Sequence, residues 1–171
     1  MNMNKEKLMK ISKAFRILLL ASTAVVVTYI IYAYAIYGDI RVGDNPLYQK
    51  LWQAPSVSNQ VMLGFKVPSF LIFFFAIYWL QKLLAYFQQG LFFGTQSIDC
   101  YIWLVWLKLC GFFVDLLERL AIAFYHESLY GDTSLEISLH FGSIITILLM
   151  LVIVYLLKAA TEIEAENKEF I

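Results

Sequence analysis

The chain has 171 residues, 61% of them hydrophobic and 15% charged, against roughly 45–50% and 25% in soluble domains. Its 13 Lys and Arg balance 13 Asp and Glu, so no basic surplus favours nucleic acid, and direct nucleic-acid binding is not expected. The apolar excess needs lipid to face, which excludes an ordinary soluble fold.

Four stretches are each close to or above the roughly 20 helical residues that a hydrocarbon core of about 30 Å requires: Phe15 to Tyr37, Val67 to Phe87, Tyr101 to Tyr125 and Ile137 to Leu157. The expected fold is all-α, an integral membrane four-helix bundle. It forms one membrane domain over 1–171, with spans at about 15–37, 67–87, 101–125 and 137–157 and a tail at 158–171.

Lys5, Lys7, Lys10, Lys13 and Arg16 cluster at the start of the first span, and basic residues in short flanks mark the cytoplasmic side. Threading four spans from there puts Lys82, Lys158 and Lys168 inside as well, and Arg41, Lys50 and Lys66 outside. Both termini are therefore expected in the cytoplasm of a multi-pass cell-membrane protein. A cleaved signal peptide is the rival reading, since Ala33-Tyr34-Ala35 has a small-x-small pattern. The apolar run from Ile17 exceeds the 7–15 residues of a signal core, so the segment reads as a retained helix.

In the first connection Asn45-Pro46 has the form of an N-cap followed by proline in the first helical turn. A short outer amphipathic helix follows, with Leu47, Tyr48, Leu51 and Trp52 on one face that rests in the outer headgroups or caps the bundle. Pro46, Pro55 and Pro68 fall in this connection or at the entry to the second span, so the helices are expected to have proline-free interiors. Tyr29, Tyr32, Tyr34 and Tyr37, and Trp79, Trp103 and Trp106, read as aromatic belts.

The third span carries Tyr101, Lys108, Asp115, Arg119 and His126 at spacings of 7, 7, 4 and 7, within about 40° of one another around the helix. Charges there cost about 2.5–3.5 kcal/mol each at the bilayer centre, so they are expected to face the bundle interior and to pair, Asp115 with Arg119 on the same helix. Lys108, Asp115, Arg119 and His126 thus form an intramembrane polar stripe. Its functional reading is a proton or ion path with Asp115 as carrier. Its structural reading, preferred here, is snorkelling and interfacial charge, because the other spans offer no partner carboxylates.

Around the turn before the fourth span, His126, Glu136 and His140 are a conceivable zinc set, but the spacing matches no established motif, and a solvated turn is preferred. Haem ligation by the two histidines is weaker still. In the fourth span, Ser138, Gly142 and Thr146 at intervals of four form a small-residue face expected to point inward. Cys100 and Cys110 would lie about 15 Å apart along one helix, too far for a disulfide. No phosphate-binding glycine loop, nucleophile elbow or catalytic carboxylate pair occurs, so no cofactor is expected and the chain reads as non-enzymatic.

The inner connection reads Gly90-Leu91-Phe92-Phe93-Gly94, and the tail ends in Glu162-Ile163-Glu164-Ala165-Glu166-Asn167-Lys168-Glu169-Phe170-Ile171. Both resemble landmarks of a bacterial family of small four-helix membrane proteins of unknown function. The matching positions are Gly90 with Phe93, and Ile163, Glu166 and Ile171. Members are often encoded beside a Cro-like helix-turn-helix regulator, so the resemblance implies a cytosolic regulator as partner. Asp99, Cys100 and Tyr101 stand where the family usually has basic residues, and Lys168-Glu169-Phe170-Ile171 departs from its usual Asp-Leu-Thr-Ile ending.

The expected function is therefore interaction or regulation. A cytosolic partner is bound through the 88–100 connection and the tail, where acidic residues surround Ile163, Phe170 and Ile171. The alternative is a small transporter or channel component using the third-span stripe, which would need a homo-oligomer to bring several stripes together.

Overall fold

The computed structural model describes residues 2–38, 40, 45–131 and 141–169, with side chains left out of account at 2–5, 37, 141 and 162–169. The described residues contain five helices and no strand: α1 (Asn2–Tyr37), α2 (Pro46–Gln53), α3 (Asn59–Gln88), α4 (Thr95–Tyr130) and α5 (Phe141–Glu169). Four of them are long and apolar enough to cross a membrane, over Glu6–Ile36, Asn59–Gln88, Thr95–Tyr130 and Gly142–Thr161. This is the helix content of a four-helix membrane bundle. In each span at most 11% of the most apolar window is buried within the chain, and in α1 none is, so the apolar surface is left for lipid.

The chain divides into two compact units. The first comprises Met1–Ser22, Phe74–Leu109 and His140–Ile171, and the second Thr23–Phe73 and Cys110–Leu139. In the first unit Arg16 clasps α1 to α3. Its Nε donates to Gln81 Oε1 at 3.0 Å and a terminal guanidinium nitrogen to Gln88 Oε1 at 3.2 Å, while Gln81 Nε2 donates back to the Arg16 carbonyl at 3.1 Å. A residue read from sequence as an orientation marker thus also binds two helices together.

The second unit holds the largest buried cluster, in which Tyr48, Leu51 and Trp52 pack with Ile40, Val57, Met62 and Ile122. The predicted start of α2 is confirmed: the Asn45 side chain accepts from the N–H groups of Leu47 and Tyr48, and Pro46 occupies the first turn. Its apolar face lies in the core of this unit, with Leu51 fully buried, rather than on a headgroup layer. The Trp52 indole N–H donates to the Gly38 carbonyl at 2.8 Å and the Tyr48 hydroxyl to the Met62 carbonyl at 3.2 Å, so both aromatic residues are fixed at their polar ends.

Two expectations are corrected. The proline-free interior expected of the second long helix is not found: α3 starts at Asn59, so Pro68 lies inside a helix. Proline has no N–H to give the Gly64 carbonyl, a local gap in the ladder that a membrane helix tolerates when neighbouring groups compensate. The second correction concerns the small-residue face of α5. Nothing lies within 4 Å of a Cβ placed on Gly142, and Thr146 is exposed with its hydroxyl donating to the Gly142 carbonyl at 2.7 Å, so this face is not packed against the described residues. Ser138 lies outside the described residues.

Candidate functional site

Within the second unit the principal polar centre joins α3 to α4. Lys66 Nζ forms an ion pair with Glu118 Oε1, and Ser69 Oγ donates to Glu118 Oε2 at 2.9 Å. Lys66 is 7% exposed and Glu118 8%. The ammonium also lies 4.7 Å from the Tyr48 ring centroid, which adds an aromatic face to its coordination. Lys66 and Ser69 are three residues apart on α3 and so share a face, which lets both reach one carboxylate. No buried side-chain nitrogen or oxygen among the described residues lacks a partner, so the network is closed. Such a centre locks two helices in register; it offers no open position for a substrate.

The α4 stripe lies elsewhere on the same helix. Arg119 Nε donates to Asp115 Oδ2 at 3.0 Å, the expected pairing four residues apart. The Asp115 side chain is nevertheless 54% exposed, and Lys108 is exposed too, so these groups do not face the bundle interior as expected. The interior position belongs to Glu118, three residues from Asp115 and about 60° away around the helix. Gly111 and Ile122 share that face: Ile122 is fully buried, and a Cβ on Gly111 would meet Ile72 at 3.6 Å. His126 packs its ring on Tyr130 at 4.9 Å.

Sequence reasoning places Lys66 on the outer side and Glu118, with Asp115 and Arg119, near the outer interface, without pairing the two. The signal that would find the pair is the Gly111–Glu118–Ile122 spacing of seven and four, one buried face containing one carboxylate. Glu136, His140 and Ile171 lie outside the described residues, as do the side chains of Ile163 and Glu166, although α5 continues through 163 and 166. Among the described residues no group of three or more His, Cys, Asp or Glu is placed to hold a metal ion. Cys100 and Cys110 are both free thiols.

In the first unit the α3–α4 connection is tightly built. Gly90 adopts φ 77°, the left-handed conformation that glycine enters without steric cost. The Gly90 N–H donates to the Phe87 carbonyl at 3.1 Å and the Leu91 N–H to the Tyr86 carbonyl at 3.1 Å, the two bonds of a Schellman C-cap. The Gly94 carbonyl then accepts from Ser97 and Ile98 at the start of α4, and the Ser97 hydroxyl donates to the Leu91 carbonyl. Thr161 near the end of the fourth span donates its hydroxyl to the Leu157 carbonyl at 2.8 Å and has the Phe93 carbonyl 3.3 Å away, which brings α5 against this turn. Leu91 and Phe93 remain 40% and 51% exposed. Gly90 and Phe93, singled out by resemblance, are thus the cap and an outward apolar side chain of one rigid turn.

No curated protein matches this chain, and no solved structure does. A family model described as "Protein of unknown function (DUF2975)" matches residues 14–171. Since that match takes in α1 from residue 14, the other three long helices and the connection at Gly90, the chain belongs to this family of unknown function.

Proposed function

We propose that the protein is a non-enzymatic membrane partner of a cytosolic protein, which it engages through the α3–α4 connection and the tail that continues α5. The observation that supports this reading is the turn at Gly90–Gly94. It is held by backbone and side-chain hydrogen bonds, it touches Thr161, and it turns Phe93 outward. An apolar side chain on a preformed turn binds with little ordering cost. Glu162, Glu164, Glu166 and Glu169 belong to the last turns of α5 and supply acidic groups complementary to a basic partner. A helix-turn-helix regulator, basic on the face that meets DNA, has that chemistry and is the partner the family resemblance suggests. The basic residues before the first span favour a cytoplasmic position for this connection and for both termini. The polar groups of α4 suit transport less well, since Lys66 and Glu118 close on one another and Asp115 on Arg119.

Photo-crosslinking in cells tests the proposal. A photoreactive residue at Phe93 is expected to give a protein adduct that disappears when residues 162–171 are removed, while one at Tyr155, 73% exposed on the span, gives none. Lipid adducts alone at position 93, or a protein adduct indifferent to the tail, would overturn it.

A further inference from the structure

A recess of about 370 Å³ opens in the first unit between α3 and α4. Trp79 and Trp103 form one wall, their rings stacked at 5.3 Å between centroids and 9° from parallel. Lys82 places its ammonium 4.7 Å from the Trp79 ring centroid. Asp99 lines the same recess, as do Tyr86 and Gln96, and the ion pairs among the described residues do not include one between Lys82 and Asp99.

Lys82 lies about 9 Å from the Gln88 end of α3, and Asp99 about 6 Å from the Thr95 start of α4. Helices of 30 and 36 residues are about 45 and 54 Å long against about 30 Å of hydrocarbon, an excess of about 7 and 12 Å at each end, so Asp99 falls at headgroup level and Lys82 at the hydrocarbon boundary, from which its long side chain reaches the headgroups. Ile102 lines this recess and also a second, apolar groove of about 270 Å³ that runs along Trp106 and Leu109 of α4 and Leu151 of α5. A polar recess near headgroup depth therefore adjoins an apolar groove, with Ile102 common to their walls.

We propose that this composite site binds a phospholipid whose headgroup is a zwitterion of phosphate diester and ammonium. Lys82 meets the phosphate, with the Tyr86 hydroxyl and Gln96 amide as further donors. Asp99 and the half-exposed face of Trp103 meet the ammonium. The lining carries one positive and one negative charge, so a purely anionic headgroup would leave Asp99 opposing it. An acyl chain of the same lipid occupies the apolar groove beyond Ile102. This inference does not depend on the partner reading above.

Native mass spectrometry of the full-length protein in detergent provides the test, with phosphatidylethanolamine and phosphatidylglycerol added at equal concentration. The zwitterionic lipid is expected to be retained with a preference of roughly tenfold, the effect of one additional charge-assisted hydrogen bond together with the absence of one repulsion. Asp99→Asn should abolish that preference, Lys82→Gln should weaken retention of both lipids while leaving the preference in place, and water-soluble glycerophosphoethanolamine should compete only weakly because it lacks the chain. Equal retention of the two lipids by the unaltered protein would overturn the proposal, whatever the variants do. Competition by the soluble headgroup as strong as that by the whole lipid would overturn the assignment to a lipid.

Discussion

Lys66 and Glu118 are the residues on which the second unit turns. Each has left water, and the cost of that is offset only while both are present, together with the Ser69 hydroxyl and the Tyr48 face. Removing one partner strands the other: Lys66→Met or Glu118→Leu alone should cost about 3–5 kcal/mol, as breaking a buried pair generally does. The double change Lys66→Met with Glu118→Leu should cost less than either single change, because no uncompensated charge remains. Thermal unfolding of the four proteins in one detergent checks this, and additive losses would show that the two residues are not coupled. The pair is hidden in the sequence for a physical reason. Lys66 stands just before the apolar run and next to Val67-Pro68, a context that reads as a helix start, while Glu118 sits between Asp115 and Arg119 in a charged stretch with a more regular stripe. Hydrophobic periodicity reports which face is apolar; it does not report which of two polar faces a neighbouring helix will cover.

The helices themselves are largely legible. The four long apolar elements follow from length and hydropathy, and α2 follows from Asn45-Pro46 and the recurrence of Leu47, Tyr48, Leu51 and Trp52. Asn45 accepts two of the N–H groups that an α-helix leaves without internal partners at its start, so Asn45→Ala should cost about 1 kcal/mol. Hydrogen exchange should show the amides of Leu47 and Tyr48 losing protection first while those of α3 are unchanged. Uniform loss of protection across both helices would mean that α2 is not a separate cooperative element. The start of α3 is not legible, because Asn59, Gln60 and Lys66 bracket only a short apolar stretch and Pro68 imitates a first-turn proline. Buried contacts hold this segment in the helix instead: Met62 is fully buried and accepts from Tyr48, and Lys66 is paired.

Taken whole, the chain is a set of apolar helices that leave their outer surfaces to lipid and confine their polar chemistry to a few places. One is the closed ion pair, another is the recess beside Trp79 and Trp103, and a third is the connection from Gly90 to Gly94 with Thr161 against it. The connection is partly visible in the sequence through Gly90 and Phe93. The recess is not, since two tryptophans on different helices read as belt residues until α3 and α4 bring their rings into a stack. The proposed function assigns the connection and the tail as the surface offered to another protein. The deciding measurement is affinity purification from native membranes in mild detergent, comparing the full chain with one ending after Thr161. A DNA-binding protein should co-purify with the full chain and fall by about tenfold or more with the shortened one, the loss of roughly 1.4 kcal/mol of binding. Equal recovery with both chains, or a homo-oligomer free of any such protein, would contradict the account.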